Sequence, residues 1–165
     1  AARLMGEGGV AMVKLEGADW ACEVIDALTR RDVPVCAHLG LTPQSVHRLG
    51  GYRVQGKSEA AAERLKLDAL SVQDAGADLL VLECVPAALA AEITKALRIP
   101  TIGIGAGVDC DGQILVVQDL LGITSGKRPR FSKDFLAGTN SVVAAIAAYA
   151  AAVRSGEFPS SEHSY

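Results

Sequence analysis

Four ionisable side chains of this sequence fall at the ends of short apolar runs. Lys14 and Glu16 close "VAMVKLEG" (10–17), His38 closes "VPVCAHLG" (33–40), and Glu83 closes "DLLVLECV" (78–85). Glu83 asks most of its surroundings. Burying a carboxylate unpaired is costly, so one placed in such a run has a partner or a task. Lys14 and Glu16 stand two residues apart, which puts them on one face of a strand. Four convergent ionisable groups on one rim make a candidate site. Plainer readings stand beside this one. Lys14 and Glu16 could form a surface ion pair worth under about 1 kcal/mol, and a lone histidine is more often a hydrogen-bonded core or rim residue.

For these residues to meet, the runs that carry them must lie parallel. Two further runs, "IPTIGIGAG" (99–107) and "QILVVQDLLG" (113–122), complete a set of five. Each is short, rich in β-branched residues and apolar on both faces, as a parallel strand covered by helices is. Helical spacing fills the gaps between them. Residues 18–31 form one such segment, and 58–76 a second that opens on a Ser58 cap and stops at Gly76. Residues 86–98 start with Pro86 at a favoured first-turn position and are stopped by Ile99 and Pro100. An alanine-rich helix is predicted over 132–154, ending near Gly156, and residues 1–5 read as the last turns of a helix stopped at Gly6. This βα repeat places the chain in the α/β class, either a flavodoxin-like sheet or part of a (β/α)8 barrel. In both, the strands' C-terminal edge is the functional one. Gly103, Gly105 and Gly107, then Gln118 and Asp119, fall on that edge. The glycines of "GIGAG" make a weak nucleotide signal and are expected to admit close approach of backbone or ligand. The insertion "LTPQSVHRLGGYRVQGK" (41–57) is expected to be a site wall or lid.

Composition narrows the classes. The chain has 165 residues, half of them hydrophobic and 21% charged, with a formal net charge of -3. No basic excess recommends nucleic acid as a partner. The apolar runs fall far short of a membrane span and no signal peptide is visible, so a cytoplasmic location is expected. Cys22, Cys36, Cys84 and Cys110 lack a CxxC pair and read as buried thiols in a reducing compartment.

Longer blocks carry a family likeness. "VKLEGADW", "PVCAHLGLTPQSVHRLGGYRVQGK", "DLLVLECVP", "IPTIGIGAG", "DGQILVVQDLLG" and "GEFPSSEHSY" closely resemble the ketopantoate hydroxymethyltransferase (3-methyl-2-oxobutanoate hydroxymethyltransferase) family, nearly from end to end. The resemblance implies a (β/α)8 barrel of the phosphoenolpyruvate mutase and isocitrate lyase group. It implies transfer of a one-carbon unit from 5,10-methylenetetrahydrofolate to 3-methyl-2-oxobutanoate, giving 2-dehydropantoate for pantothenate synthesis, with Mg2+ bound. It also implies a large cytoplasmic homo-oligomer, typically a decamer. Carried over residue by residue, Lys14 matches the lysine that holds the keto acid, Glu16 a carboxylate on the magnesium side, and Glu83 the catalytic base. His38 matches a histidine lining the pocket, in a supporting role.

The family's pattern also sets an expectation about extent. Residues 1–165 are expected to form one partial barrel domain carrying strands 4–8, with 155–165 as a tail. The first three strands, with two magnesium-binding aspartates and a serine for the keto acid, have no counterpart here. The chain alone is therefore expected to bind magnesium and substrate poorly and to turn over little. Two rival readings remain: a carbon–carbon lyase of the same barrel group, against which the 41–57 insertion lacks the reactive cysteine typical of such enzymes, and a non-catalytic fragment that oligomerises through its alanine-rich helix.

Overall fold

Side-chain alternation along the strands sorts this sequence onto two faces of a single sheet. In the computed structural model, which describes residues 1–48 and 50–165, five parallel strands pair in sequence order. They are β1 (Val13–Glu16), β2 (Val35–Gly40), β3 (Leu79–Glu83), β4 (Thr101–Ile104) and β5 (Gly112–Gln113). Val13, Val35, Ala37, Leu39, Leu80 and Leu82 share the main core with the helices that follow the strands. Those helices are α2 (Trp20–Thr29), α3 (Glu59–Asp74) and α4 (Ala87–Ala96); a short α1 (Ala2–Gly6) precedes β1. They contribute Ala21 and Ile25, Leu65, Ala69 and Val72, and Leu89, Ala90 and Ile93. Ile25, Leu80 and Leu82 are wholly buried, and each such side chain stabilises the fold by about 1.5–3 kcal/mol. Cys36, Val81 and Ile104 lie in a second cluster, as the opposite phase of the alternation requires.

The order β1-β2-β3-β4-β5 has no reversal. A flavodoxin-like sheet needs one, where its first two strands exchange places, so that alternative falls. Caps act where the sequence places them. Ser58 accepts a hydrogen bond from the Ala61 N–H at 3.3 Å, and Gly156 ends the last helix in the left-handed conformation at φ 74°. Among the described residues, no helix is long and apolar enough to cross a membrane.

Three expectations need correction. The run 113–122 is not a strand beyond Gln113: after the two-residue β5 the chain leaves the sheet and winds into α5 (Val117–Leu120), with Ile114, Val116 and Val117 exposed. Its apolar residues promised strand pairing that β4 provides only as far as Gln113. The last helix, α6 (Val142–Ser155), starts ten residues later than predicted. Gly138, Thr139 and Asn140 favour turns, and Asp134 and Ser141 take the local N–H groups of Leu136, Ala137 and Ala144. Pro86 is the N-cap of α4 rather than a residue of its first turn.

Two consequences for stability can be measured. Gly40 ends β2 at φ 89°, and a Cβ there would lie 2.2 Å from the Glu83 carbonyl oxygen and 2.8 Å from Val85. Gly40→Ala is expected to lower stability by about 2–5 kcal/mol in urea unfolding, from left-handed strain plus the clash. Burial pushes the Cys84 thiol from 9.0 up to about 12, and the Tyr149 phenol from 10.0 up to about 12. Both values are raised in the folded state, so the unfolded chain loses these protons first as pH rises. Stability should hold below pH 9 and decline from there toward about 12, seen as a falling melting temperature across that window.

Candidate active site

Parallel register brings the four ionisable residues together. Glu16 on β1 is the partner of His38 on β2, and Gly40, two residues on, is the partner of Glu83 on β3. Since residues two apart on a strand share a face, Lys14, Glu16, His38 and Glu83 project from the face opposite the main core. His38 is the hub. Its Nδ1 lies 3.3 Å from Lys14 Nζ and 3.9 Å from Glu16 Oε1, and its Nε2 lies 3.2 Å from Glu83 Oε2.

The imidazole is 2% exposed, with the Glu16 and Glu83 side chains at 11% and 15%, while Lys14 is exposed. An ammonium only donates, so Nδ1 accepts in the Lys14 contact and the ring proton falls on Nε2, facing Glu83. That approach is close but misaligned. Nε2 is a buried polar atom without a hydrogen-bond partner among the described residues. Such an atom calls for an explanation, and a small shift of the Glu83 carboxylate, or a ligand oxygen, would satisfy it.

The backbone around Glu83 is held on both sides. Its carbonyl accepts the Leu41 N–H at 2.8 Å, and the Cys84 N–H donates to the Ile104 carbonyl at 2.9 Å. Cys84 itself sits at φ 50°, uncommon for a residue with a side chain. Leu49 of the 41–57 insertion lies outside the described residues. Besides the Leu41 N–H, the insertion gives this rim the Gln44 N–H, which donates to Glu16 Oε2 at 3.2 Å, and the Gln55 N–H, which donates to the Cys84 carbonyl at 2.8 Å. A cavity of about 280 Å³ opens beside the rim, with Gly17, Gly40, Thr42, Gln55, Arg64 and Asp68 in its wall. It does not reach Lys14, His38 or Glu83.

Other predicted edge residues do not join them. Asp119 is buried in α5, where it accepts a hydrogen bond from the Thr124 hydroxyl. The glycines of "GIGAG" make room for protein: a Cβ at Gly105 would strike Phe131, and one at Gly107 would strike Ala87. His38, which the sequence places in a supporting role, is the residue whose ring lies near the other three. No local pattern ranks it above them, because the meeting of these residues comes from cross-strand register.

Metal chemistry has a narrow footing in this chain. Among the described residues there is no group of three His, Cys, Asp or Glu side chains able to hold an ion. Glu16 offers Oε1, while its other oxygen takes the Gln44 N–H. Magnesium is often held by one or two carboxylates plus water and substrate oxygens, so Glu16 fits as one ligand and does not make a site by itself.

Comparison with known proteins gives a consistent result. The family model described as ketopantoate hydroxymethyltransferase matches residues 1–161. A relative from Alkalilimnicola ehrlichii is 60% identical over all 165 residues, which cover 60% of its own length. One from Paraburkholderia phymatum is 58% identical over the same span, again 60% of its length, and one from Nitrosococcus oceani is 59% identical, with 62% covered. All three carry the name 3-methyl-2-oxobutanoate hydroxymethyltransferase. The chain thus spans about three-fifths of the length of these curated relatives.

Proposed function

Because this chain belongs to the ketopantoate hydroxymethyltransferase family, we propose that its rim carries the keto-acid chemistry of hydroxymethyl transfer. The observation behind this reading is the buried His38 imidazole, with a lysine within 3.3 Å on one side and a carboxylate within 3.2 Å on the other. The substrate is 3-methyl-2-oxobutanoate. Lys14 binds its carboxylate in a charge-assisted contact. Glu83 takes the proton from C3, and the electron pair of that C–H bond passes into the enolate. Water takes up the methylene carbon of 5,10-methylenetetrahydrofolate as its two C–N bonds break, releasing tetrahydrofolate and leaving that carbon at the oxidation level of formaldehyde. The enolate carbon bonds to it, the C=O pair moves onto oxygen, and that oxygen takes a proton to give 2-dehydropantoate. His38 turns its Nε2–H toward Glu83 and fixes where that carboxylate points.

Glu16 would supply one oxygen ligand to Mg2+, directly or through water. When bound, that ion would serve as a Lewis acid toward the keto acid's oxygens. Further ligands would come from the part of the relatives' length that this chain does not span. The sequential parallel order suits a section of a (β/α)8 barrel. A homo-oligomeric cytoplasmic enzyme belongs to the same reading, on family grounds.

The test is folate-dependent formation of 2-dehydropantoate by the chain alone and by the chain joined to the remaining length of a curated relative. Product is expected from the joined protein and little from the chain alone. A well-folded joined protein that forms no product would contradict the reading.

A further inference from the structure

After α6 the chain turns back onto the strand end that carries Glu83. Phe158 is buried against Phe135 and Tyr149, with ring centroids 5.3 and 5.8 Å apart, and His163 lies over it at 5.0 Å. The Ser160 hydroxyl and His163 Nδ1, 2.8 Å apart, help close a capping box on the 3-10 turn Ser161–His163. These anchors deliver Tyr165 to a cluster that includes Leu41, Cys84, Ile104 and Phe131. Arg130 covers the Tyr165 ring at 5.5 Å and donates from Nε to the Glu162 carbonyl at 3.0 Å.

The contact reaches both ends of the turn that follows Glu83. The main-chain oxygen of Tyr165 accepts the Ala87 N–H at 2.9 Å. Ala87 is the first residue of α4, and its N-cap, Pro86, makes no side-chain cap, so Tyr165 satisfies an amide that the helix leaves unpartnered. At the other end stands Cys84, whose left-handed backbone persists only where its surroundings enforce it. Burial also keeps its thiol protonated.

We propose that Tyr165 is a positioning residue for Glu83: by closing on Cys84 and on the start of α4, it locks the β3–α4 turn and keeps the Glu83 carboxylate at His38. The catalytic part of this inference rests on the reading of Glu83 as the base. Tyr165→Gly should reduce kcat by on the order of tenfold to a hundredfold, as small misplacements of catalytic groups do, with KM for the keto acid unchanged. Tyr165→Phe, which keeps the ring packing and the main-chain bond and gives up only the hydroxyl's contact with the Cys84 thiol, should stay close to the unaltered protein. The 15N signal of His38 Nε2, which reports its carboxylate neighbour, should move in Tyr165→Gly in the same sense as in Glu83→Gln, and stay in place in Tyr165→Phe.

If Tyr165→Gly does not fold, Ala87→Pro serves instead, since proline is tolerated at a first helical position, removes the N–H bound by Tyr165 and puts a ring carbon against the Tyr165 oxygen. It should lower kcat and move the His38 signal in the same sense. An unmoved His38 signal in the folded variant overturns the proposal, whether or not the rate falls along with the melting temperature. A moved signal in a protein with no hydroxymethyl transfer upholds the positioning role and removes the reading of Glu83 as the base.

Discussion

Glu83→Gln is expected to fold normally, bind 3-methyl-2-oxobutanoate nearly as well as the unaltered protein, and lose about a hundredfold to ten-thousandfold in kcat, the span typical of a lost general base. Glutamine keeps the shape of the side chain and can still place an oxygen near His38 Nε2, 3.2 Å from the carboxylate in the structure. What it cannot do is take a proton. Steady-state kinetics with saturating folate co-substrate, alongside calorimetric binding of the keto acid, separate these terms. A fall in affinity with kcat preserved would make Glu83 a binding group instead.

Lys14→Met should act on the other side of the cycle. The substitution keeps an unbranched side chain and removes the charge that meets the substrate's carboxylate. Hydrogen bonds to charged groups contribute about 1.5–3 kcal/mol, so the dissociation constant for the keto acid should rise by about tenfold to a hundredfold. Because Lys14 is exposed, the difference between the two proteins should shrink as salt is raised. His38 also loses the donor at its Nδ1 in this variant, so kcat should fall as well, by a smaller factor than in Glu83→Gln. Unchanged affinity measured by titration calorimetry would remove Lys14 from the substrate site.

Much of this architecture was legible from alternation and punctuation. Runs ending in Glu16, His38 and Glu83 read as parallel strands because both faces were apolar until their last residues, and β1, β2 and β3 end at or within two residues of them. The run beginning at Gln113 had the same composition, but an apolar stretch forms a strand only where a neighbour offers its backbone, and there the sheet offers little beyond Gln113. The start of α6 was misplaced because the apolar residues Phe135 and Leu136 resemble a helix face. They instead pack around α6 in a small aromatic cluster with Tyr149 and Phe158.

At the rim, residue types and spacing located the charged groups, and parallel pairing explains why they meet. The sequence could not rank His38. Its weight comes from cross-strand register, with Glu16 beside it, Lys14 near one ring nitrogen and Glu83 near the other, and register is a tertiary property. The contact of Tyr165 with the Glu83 turn is likewise between segments about eighty residues apart, and no local pattern announces it.

Solvent-deuterium exchange at C3 of 3-methyl-2-oxobutanoate, followed by proton NMR with no folate present, isolates removal of the C3 proton by Glu83 from everything downstream. The expected result is exchange catalysed by the joined protein and abolished in Glu83→Gln, while keto-acid binding persists in both. Exchange that continues undiminished in Glu83→Gln would show that another group takes the proton, and the role assigned to this carboxylate would be wrong.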